Sequence, residues 1–244
     1  WGFTSSLRYA TYLALGTAAI SGTNNFLTKI AVTAVRDPIL FTTLKNAIVA
    51  VMLLGIISVF RKWSELASLS RSQLLKLAAI GIIGGSVPFA LFFTGLAKTT
   101  ALNAGLIHKT LFLWVAFLAI PLLRERMSAL QWLGLGAIFS ANLVVGGFTG
   151  FKYNVGELMI LAATMLWAVE NIIAKVALRD ISSLTVAGAR MVLGSILLAL
   201  ILIWRGGEMS VIGGLNAQQW GWTILTSILL SGYVLGWYTA LKYA

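Results

Sequence analysis

The chain has 244 residues, of which 59% are hydrophobic and only 10% charged, and its mean hydropathy is +0.92. Soluble domains carry about 25% charged residues, so this composition excludes a soluble protein and indicates an integral membrane protein. The net charge of +11 is spread over short loops between apolar runs. It therefore predicts topology signals and contacts with membrane lipids, and no nucleic-acid partner. The absence of cysteine excludes a disulfide framework and a cysteine nucleophile.

Eight apolar runs each approach the length of about 20 residues that a helix needs to cross a bilayer. The sequence therefore predicts an all-α polytopic bundle of eight membrane helices joined by short loops. In chain order their predicted limits are 9–34, 40–60, 74–97, 101–123, 128–147, 155–178, 184–204 and 219–242. Pro88, which follows Gly84 and Gly85, is expected to kink the third helix.

The basic residues near the ends of these runs predict the orientation, because cytoplasmic loops of membrane proteins carry an excess of Lys and Arg. With a cytoplasmic N-terminus, ten basic residues lie at cytoplasmic ends and five at the opposite ends. The ten are Arg8, Arg61, Lys62, Arg71, Lys76, Arg124, Arg126, Lys175, Arg179 and Lys242, and the five are Lys29, Arg36, Lys98, Lys152 and Arg205. We expect a multi-pass protein of the plasma (inner) membrane with its N-terminus in the cytoplasm.

The two halves of the chain resemble each other at an offset of 145 to 146 residues. NNFLTKIAV in the first run matches ENIIAKVAL in the sixth, which aligns Asn25 with Asn171, and Lys45 aligns with Arg190. A repeat unit of five helices is odd, so its second copy crosses the membrane in the opposite direction. Such inverted repeats are a transporter architecture.

The repeat predicts two domains. Residues 1–150 are expected to form a first repeat of helices one to five, and residues 151–244 a second repeat that holds helices six to eight. A repeat without its last two helices would leave apolar faces uncovered. We therefore expect the sequence to be a piece of a longer chain with ten membrane helices.

Two segments carry a family resemblance. Residues 124–147, RERMSALQWLGLGAIFSANLVVGG, place Glu125, Gln131 and Gly134 in the spacing E-x5-Q-x2-G, and residues 178–190 read LRDISSLTVAGAR. The chain resembles the EamA domain of the drug/metabolite transporter superfamily over essentially its whole length. The resemblance implies ten helices in two inverted repeats around a central cavity, and proton-linked or facilitated movement of amino acids or other small metabolites, mostly outward. Phe112 stands where the family commonly has a proline.

The pair His108 and Lys109 lies deep in the fourth run. A cation near the middle of a membrane helix costs about 3 kcal/mol on insertion scales and marks a functional site by default. Lys109 is eight residues from Ala101, about 12 Å into the helix, so it is expected to face a cavity and bind an anionic group or exchange a proton. A permanent pair with a carboxylate is the structural alternative. His108, the single histidine, is either a hydrogen-bonded packing residue or a proton carrier, and it cannot form a metal site alone.

Glu170 is the acidic residue well inside a predicted membrane run, and we expect it to pair with Lys109 in a contact that substrate or a proton disrupts. It shares a helix face with Trp167. Further candidates for contact with substrate are the amide and aromatic residues Asn24, Asn25, Asn103, Asn171, Tyr233 and Trp237. The amides also suit interhelical hydrogen bonds. Lys45 and Arg190 occupy matching positions, which predicts a structural role in snorkelling to headgroups or capping helix carbonyls.

Two classes of function remain open. The leading one is a secondary transporter that moves small polar or amphipathic metabolites, such as amino acids, by alternating access, in the export direction. No nucleotide-binding pattern G-x4-G-K-[ST] is present, and we expect no cofactor. The alternative is a membrane-embedded enzyme or lipid-handling protein that uses His108, Lys109 and Glu170; without HExxH or GxSxG, we expect no enzyme. The sequence leaves proton coupling and a homodimer open.

Overall fold

A computed structural model describes residues 5–35, 37–145, 150, 154–206 and 209–244, with the backbone alone at 29, 32–35, 145 and 209–211. These residues form eleven α-helices and a 3₁₀ turn at Met209–Gly214. In chain order the helices are α1 (Ser5–Val35), α2 (Pro38–Val59), α3 (Trp63–Ala67), α4 (Arg71–Gly85), α5 (Val87–Leu96), α6 (Ala101–Lys109), α7 (Leu111–Leu123), α8 (Ala129–Val145), α9 (Val155–Ala177), α10 (Ser183–Trp204) and α11 (Ala217–Tyr243).

The predicted all-α membrane fold is confirmed. Within the described ranges, six stretches are long and apolar enough to cross a membrane. They are Pro38–Val59, Arg71–Leu96, Ala101–Leu123, Val155–Ala177, Ser183–Trp204 and Ala217–Tyr243. The first predicted run is a helix of 31 residues that is less apolar than these six, and the fifth is a shorter apolar helix of 17 residues. The protein is thus a polytopic helical membrane protein.

Side-chain caps fix where several helices begin. Asp37 accepts backbone hydrogen bonds at the start of α2 and is followed by Pro38, whose missing N–H costs nothing in a first turn. Ser70 and Asn216 each form a capping box with the glutamine three residues later. Ser182 caps α10 through the N–H of Thr185. These polar caps explain why apolar runs of similar composition start at defined residues.

Two of the membrane stretches are interrupted. The stretch Arg71–Leu96 is divided between α4 and α5 at Ser86, whose backbone (φ −137°, ψ −68°) leaves the helical region two residues before Pro88. The expected disruption of this helix near Pro88 is therefore present. The stretch Ala101–Leu123 is divided between α6 and α7 at Thr110. The sequence contains no proline beside that second break.

The helices group into two compact units. One is drawn from Trp1–Ser86 and Ala174–Ala244 and is called the terminal unit; the other is Val87–Ile173 and is called the central unit. In the terminal unit α1 packs on α11, and α10 packs on α2 and α4. This grouping follows contacts in space. The division into repeats at residues 1–150 and 151–244 follows sequence similarity and stays a prediction.

Glycines bring helices close together in both units. In the terminal unit a Cβ atom on Gly85 would lie 2.8 Å from the Cα of Gly194, and 2.6 Å from the carbonyl oxygen of Arg190. In the central unit a Cβ on Gly95 would lie 2.7 Å from the carbonyl oxygen of Gly156. Small residues permit such close backbone packing in membranes, where dispersion and hydrogen bonds replace the hydrophobic effect as the main attraction.

Candidate functional site

The break at Thr110 ends α6 directly after His108 and Lys109. The Thr110 N–H and its Oγ1 both donate to the carbonyl oxygen of Ile107, at 3.0 and 2.6 Å. Thr110 Oγ1 in turn accepts a hydrogen bond from the indole Nε1 of Trp114 at 3.0 Å. A tight turn therefore replaces a regular helical turn within a membrane stretch. Interrupted membrane helices place polar groups at binding sites in many transporters.

His108 lies in a group of rings that we call the aromatic cluster, formed by Phe89, Phe92, His108 and Trp167. The imidazole centroid is 4.9 Å from the Trp167 ring and 5.4 Å from the Phe92 ring, with edge-to-face angles of 66° and 67°. Phe89 meets Trp167 in the same manner at 5.2 Å. Such edge-to-face contacts stabilise the packing of each ring. The cluster belongs entirely to the central unit and joins α5, α6 and α9.

The Nδ1 atom of His108 is buried and has no hydrogen-bond partner among the described residues. Leaving a buried polar atom without a partner costs about 1–3 kcal/mol. The expectation that His108 packs through a hydrogen bond to a neighbouring helix is not met at this atom. The imidazole is instead held by ring contacts, which leave Nδ1 available to a ligand or a proton.

Lys109 and Glu170 have opposite surroundings. The Lys109 side chain is exposed, whereas Glu170 is only 2% exposed. Glu170 follows the 7% exposed Trp167 by about one turn of α9, so the buried carboxylate belongs to the helix that also carries part of the aromatic cluster. Asn171 is also buried and donates to the carbonyl oxygen of Trp167 at 2.8 Å. The coupling of Lys109 with Glu170 stays a prediction.

Asn103 forms a short, buried hydrogen bond in the central unit that sequence reasoning partly missed. Its Nδ2 donates to Oε1 of Glu157 at 2.6 Å, and both residues are 4% exposed. Thr99 adds a weaker hydrogen bond to the same oxygen at 3.5 Å, and Asn154 accepts from the Glu157 N–H at 2.9 Å. Glu157 lies in the first turn of α9, where a negative charge favours the helix dipole. Its place at the start of an apolar run was the available signal.

In the terminal unit Asn24 contacts Lys45. Lys45 is 7% exposed, and its Nζ donates to Thr28 Oγ1 at 2.9 Å and to Asn24 Oδ1 at 3.4 Å. The expectation that Lys45 snorkels to headgroups or caps a carbonyl was wrong, because its partners are side chains of α1. Arg190 does cap a carbonyl, since its Nη2 donates to the oxygen of Gly84 at 3.1 Å.

The remaining sequence candidates also lie in the terminal unit. Asn25 is exposed on α1, while Tyr233 and Trp237 are half-buried on α11. Two contacts join candidates to each other: His108 packs on Trp167, and Asn171 donates to Trp167. Asn24 instead contacts Lys45, which was not proposed as a site residue. Lys45 and Glu157 are the buried charged residues that the sequence interpretation had not placed in a site.

An all-α bundle with two interrupted membrane stretches, and with Lys45 and Glu170 buried in its membrane helices, is typical of membrane transporters rather than of simple anchors. The model of the EamA-like transporter family matches residues 8–147 and 154–244. The chain belongs to this family, which places it in the drug/metabolite transporter superfamily.

Two curated relatives agree with that assignment. The chain is 28% identical over 154 residues to an uncharacterized transporter of Methanothermobacter thermautotrophicus, an alignment that covers 60% of the chain and 44% of the relative. It is 29% identical over 188 residues to the uncharacterized transporter YyaM of Bacillus subtilis, with coverage of 71% and 60%. The matched part of the chain therefore spans about half the length of these two relatives.

Proposed function

We propose that the protein is a secondary active transporter that exports small polar or amphipathic metabolites, such as amino acids, across the plasma membrane by alternating access. The observation that carries this proposal is the buried Nδ1 of His108 within the aromatic cluster, beside the break at Thr110. Membership of the EamA-like transporter family supports movement of a solute over catalysis.

The aromatic cluster suits an amphipathic metabolite for chemical reasons. The rings of Phe92 and Trp167 offer apolar surface to a hydrocarbon part, and the face of an indole attracts an ammonium group. His108 Nδ1 can exchange one hydrogen bond with the polar part of the same molecule. One polar atom among apolar walls is the usual composition of a small-molecule site.

Glu170 is the proposed proton-coupling group. A buried carboxylate in a membrane helix either ionises with a partner or carries a proton, and both states can be used in a transport cycle. The predicted pair with Lys109 would form in a different conformation from the described one, in which Lys109 is exposed. Asn24, Asn25, Asn103, Asn171, Tyr233 and Trp237 remain proposed contacts for substrate along its path.

The predicted inverted five-helix repeat supports alternating access, because exchanging the conformations of two similar repeats opens a site to opposite sides. The excess of basic residues at one set of helix ends supports a cytoplasmic N-terminus in the plasma membrane. Proton coupling and assembly as a homodimer are further parts of the proposal that the experiments below can address separately.

Reconstitution of the purified full protein into liposomes tests this function. Vesicles are loaded with a mixture of labelled amino acids, and release is followed with and without an imposed pH gradient. The proposal predicts release that requires the protein and responds to the gradient. Chemical analysis of the label separates the alternatives, because conversion of the label or movement of labelled lipid without release of amino acids would support an enzyme or a lipid-handling protein instead.

A further inference from the structure

Lys45 is a buried cation inside a membrane helix. It lies seven residues after Pro38, about 10 Å along α2 from its start, and its side chain is 7% exposed. Three helices of the terminal unit meet there: α1 supplies Asn24 and Thr28, and Ser227 of α11 donates to the backbone carbonyl of Lys45 at 3.4 Å. The ammonium group is therefore held by neighbouring helices, and the side chain does not extend to the membrane surface.

The partners of Lys45 among the described residues are all neutral. They are the Asn24 oxygen, the Thr28 hydroxyl and the ring of Phe41, whose centroid is 5.7 Å from Nζ. Moreover, the five long helices of this unit, α1, α2, α4, α10 and α11, contain no Asp or Glu in their sequences. The helices that enclose Lys45 thus provide oxygen atoms and a ring face but no negative charge.

This arrangement leaves a charge to be balanced. Burying an ion without a counter-ion costs several kcal/mol, and hydrogen bonds to neutral groups recover only part of that cost. An ammonium has three donor N–H groups, and two of them are used by Asn24 and Thr28. The Asn24 side chain accepts from Lys45 through Oδ1, so the two N–H donors of its amide take no part in this contact.

We infer that Lys45, together with Asn24, forms a binding site for the carboxylate group of a small organic ligand. A single ammonium supplies one positive charge, which matches a monoanion, and the planar carboxylate can accept from Lys45 Nζ and the Asn24 amide at once. Phosphate groups are more often bound by Arg forks or by several backbone N–H groups. Because the ligand is taken to be the carried metabolite, the assignment rests on the proposed transport function.

Acetate is the probe that tests this site without any measurement of transport. Thermal unfolding of the purified full protein in detergent is followed in acetate, in the neutral isostere acetamide and in inorganic phosphate, with sodium chloride used to equalise ionic strength. Binding to the folded state raises the unfolding midpoint, and we expect acetate to raise it by about 3 °C and acetamide to leave it unchanged.

Substitutions of Lys45 test whether acetate raises the unfolding midpoint by binding at this residue. K45M is expected to lose the response to acetate and K45R to retain it, while K62M, which removes an exposed lysine outside the membrane stretches, keeps the full response. K45Q serves as a second uncharged variant if K45M does not yield folded protein. A response to acetate that persists in both uncharged variants, an equal response to acetamide or a stronger one to phosphate, or no response in the unmodified protein would overturn the assignment.

The binding and transport results are independent. Acetate binding through Lys45 in a protein that releases no metabolite from liposomes would support a carboxylate site and contradict the transport proposal. Release of amino acids by a protein that does not respond to acetate would contradict the carboxylate site and leave the transport proposal standing.

Discussion

The imidazole of His108 meets the indole of Trp167 edge to face, with ring centroids 4.9 Å apart, while its Nδ1 has no partner among the described residues. The His108 ring is thus packed against its neighbours, whereas the hydrogen-bonding capacity of its Nδ1 is unused within the described part of the chain. The rings hold the imidazole in place, and the polar atom carries a cost that the folded protein alone does not recover. Such a cost is expected where function, rather than stability, determines the residue.

Replacing His108 by Phe is therefore expected to stabilise the protein. The substitution keeps an aromatic ring beside Trp167 and removes the buried nitrogen, so the free energy of unfolding is predicted to rise by about 1 kcal/mol. Thermal unfolding of the purified variant in detergent measures the change. A lower midpoint than that of the unmodified protein would indicate that Nδ1 stabilises the fold.

The hydrogen bond between Asn103 and Glu157 is expected to stabilise the central unit. Asn103→Ala removes the donor 2.6 Å from Oε1 of Glu157 and so takes a short hydrogen bond from a buried carboxylate. The predicted loss is about 1–2 kcal/mol, in the upper part of the range for polar contacts in membrane proteins. Asn25→Ala, at an exposed position, is the matched control and should change the unfolding midpoint little. Equal effects of the two substitutions would argue against the contact.

The close approach of α4 and α10 predicts a strong difference between two glycines. Gly85→Ala places a methyl group 2.6 Å from the carbonyl oxygen of Arg190 and should cost about 1–3 kcal/mol through overpacking, since backbone cannot move aside easily. Gly55→Ala has open space within 4 Å and should be neutral or slightly stabilising in a helix. Thermal unfolding of both variants checks the pair. Similar midpoints would mean that the two helices are not in close contact.

Glu65 lies in α3, outside the membrane stretches, and its hydrogen bonds predict a pH-dependent contribution to stability. Burial alone would raise the pKa of this carboxyl, but hydrogen bonds from the Ser182 N–H and Oγ (both 2.7 Å) and from Thr185 Oγ1 (3.0 Å), with the charge of Lys62, lower it below its ordinary value. A pKa lowered in the folded state gives a contribution that is present above the pKa of the unfolded chain and is lost as pH falls through the folded value.

The thermal unfolding midpoint should therefore decrease as the pH is lowered from the ordinary pKa of a glutamate to the lowered pKa of folded Glu65. In E65Q this part of the pH dependence should disappear. E125Q alters an exposed carboxylate in the loop between α7 and α8 and should retain it. An unchanged pH profile in E65Q would show that the cap on α10 does not depend on the charge.

Much of the helical layout followed from the sequence, because apolar length is a strong local signal. The run predicted at 155–178 is the helix Val155–Ala177. Pro88 likewise indicates the break between α4 and α5. The break at Thr110 had no such signal, since a threonine in an apolar run usually continues a helix. It depends on hydrogen bonds that Thr110 forms in three dimensions.

The surroundings of the candidate residues were harder to predict than the helices. Lys45 lies near a helix end, where long side chains usually reach the membrane surface, and its burial arises from partners on α1 that are 17 and 21 positions away in sequence. The depth of Lys109 along its helix predicts only that it faces a cavity or a carboxylate partner. Depth along an axis does not specify the direction in which a side chain points, and in the structure Lys109 is exposed while the Nδ1 atom of its neighbour His108 is buried.

The flux of labelled amino acids in proteoliposomes that contain either the unmodified protein or the H108F variant tests the central claim most directly. We predict pH-gradient-dependent release by the unmodified protein and release slower by about tenfold or more in H108F, which corresponds to a loss of about 1.4 kcal/mol of interaction with the carried molecule. Trp132→Ala, which alters a partly exposed ring of α8, should keep most of the flux. Equal flux through H108F and the unmodified protein would contradict a role for His108 in the transport site.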